Sequence, residues 1–292
     1  MRIHLTDVFL RDGLQDEKVI VSTADKLAIA DALLTSGVNR LEVASFVNPA
    51  RVPQMGDAVD VLAGLPTGSG ATFTSLALNG KGVVRAAAAG ATDIQVVASA
   101  SQAHSSANAG SSIEAALESL AVDVAAHPGT NFFAGISTAF TCPFEGEVDP
   151  DHLLRVVRGF KAMGITRIGL ADTLGITPTD RLMDSVRHVQ DAEPDLTYHL
   201  HLHNAHGQAL GTVDAAIAAG ITRFDSALGG YGGCPFAPGA AGNLATEELV
   251  AHLHAAGHET GIDEAALVRA VQLGRNAVAN SPALPADALA GR

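Results

Sequence analysis

The chain has 292 residues, of which 47% are hydrophobic, so it can fill the core of a large domain and lacks the composition of a disordered protein. Its formal net charge of −13 disfavours nucleic acid and anionic membrane surfaces as partners, although a local basic pocket could still hold a phosphorylated cofactor. The longest apolar runs are too short to span a bilayer, and no basic region precedes the stretch from Ile3 to Phe9, so we expect no signal peptide and a cytoplasmic location.

Eight short apolar runs alternate with longer stretches of helical periodicity. We predict strands at these runs, from Ile3 to Phe9, Arg40 to Ala44, Thr72 to Leu78, Asp93 to Ala98, Phe132 to Thr138, Arg167 to Ala171, Thr197 to His203 and Arg223 to Ala227. We predict helices between them, for example from Ser22 to Ser36, Ser112 to Ala126, Pro150 to Met163 and Thr177 to Ala192. A glycine follows several helices shortly before the next strand, as is common where a helix ends and the chain turns back, at Gly37, Gly90, Gly164 and Gly220.

This repeated order of strand and helix predicts an α/β fold. Eight βα units in 292 residues favour a closed (β/α)8 TIM barrel over an open doubly wound sheet, whose first strand should lead into a glycine-rich nucleotide-binding turn. Here the first strand leads into Arg11, Asp12 and Gly13. Nothing in the sequence resembles a linker, so we expect one catalytic domain over residues 1–292. An extra C-terminal helix from about Asp263 to Ala279 lies in a region, about 258–292, that should pack on the barrel.

The segment from His199 to Asn204 has the sequence His-Leu-His-Leu-His-Asn, with three histidines at alternating positions near the end of the seventh predicted strand. Alternate residues of a strand share one face, so these imidazoles should lie side by side. Each supplies a neutral nitrogen donor, which is what a divalent metal site needs. The alternative is a run of polar residues that fills the interior of a barrel. The alternation near the end of a strand favours the metal site.

TIM barrels carry their catalytic groups at the carboxyl ends of the strands. Five further polar residues lie within or just after predicted strands, namely Arg11, Asp12, Glu42, Asp172 and Thr173. Each has a plainer explanation, since Asp172 could cap the next helix and Arg11 could form a structural ion pair with Glu42. Their convergence with the histidines on one rim nevertheless favours an active site.

Four segments of the chain resemble 3-hydroxy-3-methylglutaryl-CoA lyase. They are RDGLQDEK from Arg11 to Lys18, ASFVNP with VPQMGD between Ala44 and Asp57, CPFEG from Cys142 to Gly146, and GGYGGCPFAPGAAGNLATE from Gly229 to Glu247. The likeness extends from the first strand to about Leu253. The Arg-Asp and His-x-His elements are also shared by a wider superfamily of metal-dependent barrels that resembles isopropylmalate synthase and 4-hydroxy-2-oxovalerate aldolase. The glycine-rich loop with its cysteine separates the lyases from that superfamily.

The resemblance implies a lyase that cleaves 3-hydroxy-3-methylglutaryl-CoA, or a close 3-hydroxyacyl-CoA, to acetyl-CoA and acetoacetate or the matching keto product. It implies a divalent cation, Mg²⁺ or Mn²⁺, with the ligands Asp12, His201, His203 and Asn243. It also implies roles in leucine catabolism and ketone-body formation. As partners we expect a small-molecule acyl-CoA and a second copy of the chain in a dimer or tetramer, with neither nucleic acid nor membrane.

The resemblance also implies individual residue roles. The catalytic residues are expected to be Arg11, Glu42, Asp172, His201 and Cys234. The residues expected to bind substrate are Arg11, Gln15, Lys18, Ser45 and Thr173. Arg11 would hold its charge against the thioester enolate. The glycine-rich loop would close as a lid and bring Cys234 to the site, where its thiol would help to protonate the carbanion of acetyl-CoA.

Several positions depart from the lyase pattern, and they concern the substrate rim more than the metal. They are His199, which we expect to be a core or supporting histidine, residues 204–206, the segment from Ser99 to Asn108, and the segment from Asn276 to Pro282. The type of reaction therefore follows more firmly than the substrate. The alternatives are a Claisen-type acyl-CoA synthase or a 2-oxo-acid aldolase on the same barrel, and a barrel that binds ligands without turnover. Cys142 and Cys234 are expected to be free thiols.

Overall fold

The computed structural model describes residues 1–233 and 242–284. Within them, eight parallel strands form a closed barrel: β1 (His4–Asp7), β2 (Arg40–Ser45), β3 (Thr72–Ala77), β4 (Asp93–Ser99), β5 (Asn131–Ser137), β6 (Arg167–Asp172), β7 (Thr197–Leu202) and β8 (Arg223–Ser226). Each strand pairs with its neighbours in the chain, and β8 closes the barrel against β1 with His4 opposite Arg223. The predicted TIM barrel is confirmed.

Helices surround the strands. In the described residues they are α1 (Thr23–Thr35), α2 (Ala58–Gly64), α3 (Gly80–Ala88), α4 (Gln102–Ala109), α5 (Ile113–Ala126), α6 (Pro150–Ala162), α7 (Thr179–Ala192), α8 (Ala209–Ala218), α9 (Thr246–Ala255) and α10 (Glu264–Asn280). The last is the predicted extra C-terminal helix, and it packs against α1 and α9. None of these helices is both long and apolar enough to cross a membrane. The four predicted helix-ending glycines all have φ between 82° and 95°, as such turns require.

Two glycines inside the barrel make room for polar side chains. A Cβ atom on Gly169 of β6 would lie 2.3 Å from Nε2 of His199, and one on Gly135 of β5 would lie 3.0 Å from Nε2 of Gln95. Because close-packed interiors leave no spare volume, a larger residue at either position would displace these side chains. The two glycines thus allow His199 and Gln95 to occupy the barrel interior below the site.

The first strand ends two residues earlier than predicted, because Phe9–Gly13 forms a π-helical turn. The Asp7 carboxylate accepts a hydrogen bond from the backbone N–H of Phe9 at 3.0 Å, and the Val8 carbonyl accepts one from Gly13 at 3.1 Å. The Phe9 ring is fully buried and packs edge-on against Tyr231, with ring centroids 5.4 Å apart. The turn carries the Arg-Asp pair to the carboxyl end of the barrel, and irregular turns of this kind are frequent at functional sites.

Candidate active site

Asp12, His201 and His203 meet at the carboxyl end of the barrel. One ligand atom from each lies within 4.8 Å of the others. Oδ2 of Asp12 is 3.9 Å from Nε2 of His201 and 3.8 Å from Nε2 of His203. The π-helical turn after β1 supplies the carboxylate. His201 lies in β7, and His203 directly follows the end of that strand. A carboxylate oxygen and two imidazole nitrogens in one place can bind a divalent cation.

Backbone pairing places Asn243 beside this group. The chain re-enters the described region beside the end of β7, where Asn204 donates its N–H to Gly242 at 3.0 Å and Leu244 donates to Leu202 at 2.9 Å. The buried Asn243 side chain then donates from Nδ2 to Oδ2 of Asp12 at 2.7 Å. Its Oδ1 is buried and accepts no hydrogen bond from the described residues. A buried amide oxygen without a donor is costly, and a cation held by the three ligands would satisfy it.

Arg11 lies between two carboxylates. Its Nη1 donates to Asp12, while its Nε and Nη2 lie 2.8 Å and 2.6 Å from Oε2 of Glu42. Burial opposes the Arg11 charge, but the two carboxylates outweigh it and raise the pKa of Arg11. Burial alone would raise the pKa of Asp12, yet Arg11 and the two histidines outweigh it and hold that pKa below its usual range. Asp12 is therefore ionised at neutral pH, as a metal ligand must be.

Asp225 is a residue of the site that the sequence does not single out. Its Oδ2 lies 3.3 Å from Nδ1 of His201 and 3.7 Å from Nε2 of His199. A carboxylate on the second ring nitrogen fixes the tautomer and orientation of a metal-binding histidine. His199 is not part of the ligand group, and its burial lowers its pKa, so it is a neutral side chain behind His201.

An open cleft of about 900 Å³, including its mouth, leads to the three ligands. Two residues predicted to bind substrate, Gln15 and Thr173, line it together with Arg11. His104 and Asn108 also line it, and both belong to the segment that departs from the lyase pattern. The cleft therefore combines the predicted metal ligands with a wall whose side chains differ from that pattern.

Besides Asn243, four predicted site residues in the described part of the chain do not line the cleft. The Asp172 carboxylate accepts hydrogen bonds from the N–H and the hydroxyl of Thr177, at 3.2 Å and 2.8 Å, and so holds the loop before α7. Ser45 is fully buried, and Lys18 is exposed. Glu42 lies below the cleft in its ion pair with Arg11. The roles assigned to these four residues stay predictions. Glu42 forms the ion pair with Arg11 that the sequence also allows. Asp172 does not cap α7, whose N-cap residue is Pro178, and bonds instead to the loop before that helix.

Cys234 lies outside the described residues, so its predicted role is untested. The glycines before it do adopt the conformations that only glycine favours, with φ of 62° at Gly229, 70° at Gly230 and 110° at Gly232. Cys142, the other cysteine, is buried with a free thiol, as predicted for it. Its Sγ lies 2.9 Å from Oγ of Ser101.

Gly232→Ala should weaken metal binding. A Cβ atom at Gly232 would lie 2.4 Å from Nδ2 of Asn243 and 3.0 Å from Oδ2 of Asp12, so the side chain would displace two proposed ligands. We expect a loss of affinity of about 10- to 100-fold, as when the support of a metal ligand is removed. The measurement is a titration of metal-free protein with Mn²⁺.

Gly90→Ala is the matched control. Gly90 also has positive φ, at 89°, but nothing lies within 4 Å of an added Cβ. Both variants carry the backbone strain of about 1–2 kcal/mol, and only Gly232→Ala meets the ligands. Equal metal affinity in the two variants would contradict the proposed ligand set.

The amino-acid sequence is similar to those of known lyases. The sequence model of the family described as HMGL-like matches residues 2–273. The chain belongs to the HMGL-like family. Human mitochondrial hydroxymethylglutaryl-CoA lyase is 37% identical over 271 residues, which cover 92% of this chain and 83% of that protein. The resemblance predicted from the sequence is confirmed.

Two bacterial members of the family are similarly close. The 3-hydroxy-3-isohexenylglutaryl-CoA/hydroxy-methylglutaryl-CoA lyase of Pseudomonas aeruginosa is 37% identical over 273 residues, covering 93% of this chain and 91% of that protein. The structure of an HMG-CoA lyase from Acinetobacter baumannii in complex with coenzyme A and 3-methylmalate superposes with a TM-score of 0.90 at 36% identity. That superposition covers 99% of this chain and 95% of the other.

Proposed function

We propose that this protein is a carbon–carbon lyase that cleaves 3-hydroxy-3-methylglutaryl-CoA, or a close 3-hydroxyacyl-CoA, to acetyl-CoA and acetoacetate or the matching keto acid. The observation that carries the proposal is the group of Asp12, His201 and His203 in the cleft, beside the unpaired oxygen of Asn243. The names of the relatives support this reaction, and the coenzyme A bound to the Acinetobacter enzyme supports an acyl-CoA substrate.

The reaction breaks the bond between C2 and C3 of the acyl group. The C3 hydroxyl loses its proton and C3 becomes a carbonyl carbon, while the electron pair of the broken bond passes to C2. The departing fragment is thus the enolate of an acetyl thioester, and protonation at C2 gives acetyl-CoA. The site must therefore favour loss of the hydroxyl proton, stabilise the enolate oxygen and supply a proton to C2.

Asp12, His201, His203 and Asn243 would hold a divalent cation, and their mixture of oxygen and nitrogen donors favours Mg²⁺ or Mn²⁺. When bound, the cation supplies Lewis-acid chemistry that lowers the pKa of the substrate hydroxyl. Arg11 keeps Asp12 ionised, and Asp225 orients His201. The buried charge of Arg11 faces the cleft, where it can stabilise the enolate oxygen.

Product analysis tests this function. The protein is incubated with Mg²⁺ or Mn²⁺ and a panel of 3-hydroxyacyl-CoA thioesters, including glutaryl compounds with a methyl or an isohexenyl group at C3, and products are identified by mass spectrometry. We expect acetyl-CoA and a keto acid. Net condensation of acetyl-CoA with an oxo acid would support the synthase instead, and absence of turnover on every thioester would support a barrel that only binds ligands. A higher kcat/KM for another member of the panel would change the substrate and leave the reaction in place.

Cys234→Ser should lower kcat by about 10²-fold with little change in KM, because a serine hydroxyl is a far weaker acid than a thiol and cannot replace it in a proton transfer. This prediction rests on the resemblance of the loop to the lyases. Steady-state kinetics at saturating Mg²⁺, with bound metal measured in both proteins, check it. A kcat within a few-fold of the parent would remove Cys234 from the mechanism.

The proposal also covers the oligomeric state, the cellular location and the metabolic role of the enzyme. We infer that residues 1–292 act as one catalytic domain in a homo-oligomer, a dimer or tetramer, in the cytoplasm. This activity would serve leucine catabolism and ketone-body formation. Light scattering of the purified protein tests the oligomeric state.

A further inference from the structure

A second cavity opens at the opposite, amino-terminal end of the barrel. It encloses about 500 Å³, including its open mouth. Arginines stand at the first position of three strands around it, Arg40 in β2, Arg167 in β6 and Arg223 in β8, and His4 of β1 joins them. The cavity is therefore basic at its mouth, in a chain whose net charge is −13.

The described residues provide no salt-bridge partner for the three guanidinium groups. Among residues 1–233 and 242–284, no carboxylate oxygen lies within 4 Å of any of them. Arg40 makes one long hydrogen bond, 3.4 Å to Oγ1 of Thr72. The Arg167 guanidinium stacks on the Phe133 ring, 3.3 Å from its centroid, which leaves the N–H groups at its edge available. The Arg223 guanidinium donates no hydrogen bond to any described residue.

The acidic groups nearby are engaged elsewhere. Glu42 and Asp225 reach the inner end of the cavity, but Glu42 pairs with Arg11 and Asp225 bonds to His201. Asp93, the first residue of β4, accepts hydrogen bonds from Asn131 at 2.7 Å and from Thr92 at 2.9 Å. Asp93 and Asp225 still act on Arg40 as opposing negative charges, but the three guanidinium charges outnumber these two carboxylates, so the mouth keeps an excess of positive charge.

Burial and mutual repulsion act together on the arginines. Burial, followed by the charges of Arg40 and Arg223, lowers the pKa of Arg167 to about 10. Burial and the charge of Arg223 likewise lower the pKa of Arg40. The guanidinium groups repel one another, and their partial burial strengthens this repulsion. An anion bound between them would be attracted to each of them and would offset the repulsion.

We propose that this amino-terminal mouth binds a phosphate dianion, either free inorganic phosphate or the phosphate of a small phosphomonoester. The planar guanidinium group presents parallel N–H donors that match phosphate oxygens, which is why arginine is preferred for this ligand. Arg40, Arg167 and Arg223 all line this one cavity, which is open at its mouth. The site lies at the other end of the barrel from the metal ligands, so it does not depend on the proposed lyase activity.

Calorimetric titration of metal-free protein tests the proposal, with inorganic phosphate and glycerol 3-phosphate as separate probes and with chloride of equal ionic strength as the reference. We expect saturable binding of one phosphate per chain. Tighter binding of glycerol 3-phosphate would identify the source as an ester, and tighter binding of phosphate would identify the free anion. The absence of saturable binding by either probe, beyond the chloride reference, would overturn the proposal.

Variants locate the bound phosphate. Arg40→Gln and Arg223→Gln should each weaken binding by at least about tenfold, because each removes charge-assisted hydrogen bonds. Arg223→Lys keeps the charge without the parallel donors and should lie between Arg223→Gln and the parent. The control Arg269→Gln changes an exposed arginine of α10 and should bind as the parent does. Circular dichroism and thermal unfolding confirm that each variant folds.

Arg11→Gln distinguishes phosphate binding at the amino-terminal mouth from phosphate binding in the active-site cleft. Phosphate attracted to the active-site cleft would be lost in this variant and retained in Arg223→Gln, and that result would overturn the proposal. Crystals soaked in selenate give a positional measurement, because the anomalous signal of selenium should appear between Arg40, Arg167 and Arg223. A peak only in the cleft would also contradict the assignment.

Discussion

His201→Ala should lose metal binding and nearly all turnover, whereas His199→Ala should retain most of both. Nε2 of His201 faces Oδ2 of Asp12 at 3.9 Å within the ligand group. His199 lies outside that group, with its Nε2 3.7 Å from the Asp225 carboxylate. A bound cation that polarises the substrate contributes several kcal/mol, so its loss should lower kcat on the order of 10³-fold. His199→Ala should cost less than about tenfold, because it removes only a neighbour of a supporting residue.

The measurement combines bound-metal analysis with steady-state kinetics on both variants and the parent. Chelation should inactivate the parent, and Mg²⁺ or Mn²⁺ should restore it. His201→Ala should stay inactive at any metal concentration. Full activity of metal-free parent protein, or equal losses in the two variants, would contradict the proposed metal site.

The barrel can be predicted from the sequence because its signals are local. Apolar runs and helix-ending glycines predict all eight strands to within two residues at either end. The largest error is at the end of β1, where the buried Phe9 continues the apolar run but packs against Tyr231 from a π-helical turn. That contact joins residues more than two hundred positions apart in the sequence, so no local sequence pattern predicts it.

The site is only partly predictable for the same reason. Alternation places His201 and His203 on one face, and the end of β1 places Asp12 at the same rim. Position at the end of a strand cannot show whether a carboxylate faces the cleft, and Asp172 instead bonds to Thr177, five residues later. Asp225 alternates with Arg223 in β8, so the sequence places both on one face, but only the closed barrel shows that this face is the interior.

The basic mouth also depends on contacts between residues that are distant in the sequence. Arg40, Arg167 and Arg223 each stand at the start of a predicted strand, where an arginine alone is unremarkable on a protein surface. Closure of the barrel brings these three strand starts around one cavity. The cavity is formed by strands that are distant in the sequence, so it can be recognised only from the pairing of the strands in the structure.

Arg11→Gln should lower kcat by about 10²- to 10³-fold, the range found when a group that stabilises an oxyanion is removed. Arg11 lines the cleft, and its side chain is the fixed positive charge beside Asp12. The variant also leaves Glu42 buried without a cation, which should destabilise the fold by about 3–5 kcal/mol. Loss of activity alone would therefore fit a purely structural ion pair.

A double-mutant cycle separates the catalytic charge from the structural ion pair. Glu42→Gln removes the buried carboxylate, so the double variant with Arg11→Gln should recover most of the lost stability, measured as thermal unfolding. If Arg11 stabilises the enolate, adding Arg11→Gln to Glu42→Gln should still lower kcat by about 10²-fold, because the double variant lacks the guanidinium charge that faces the cleft. If Arg11 serves only as the partner of Glu42, the two proteins that lack Glu42 should have the same kcat within a few-fold. Bound metal is measured in all four proteins, since a loss of metal in the Arg11 variants would show that the arginine acts by holding Asp12 in place.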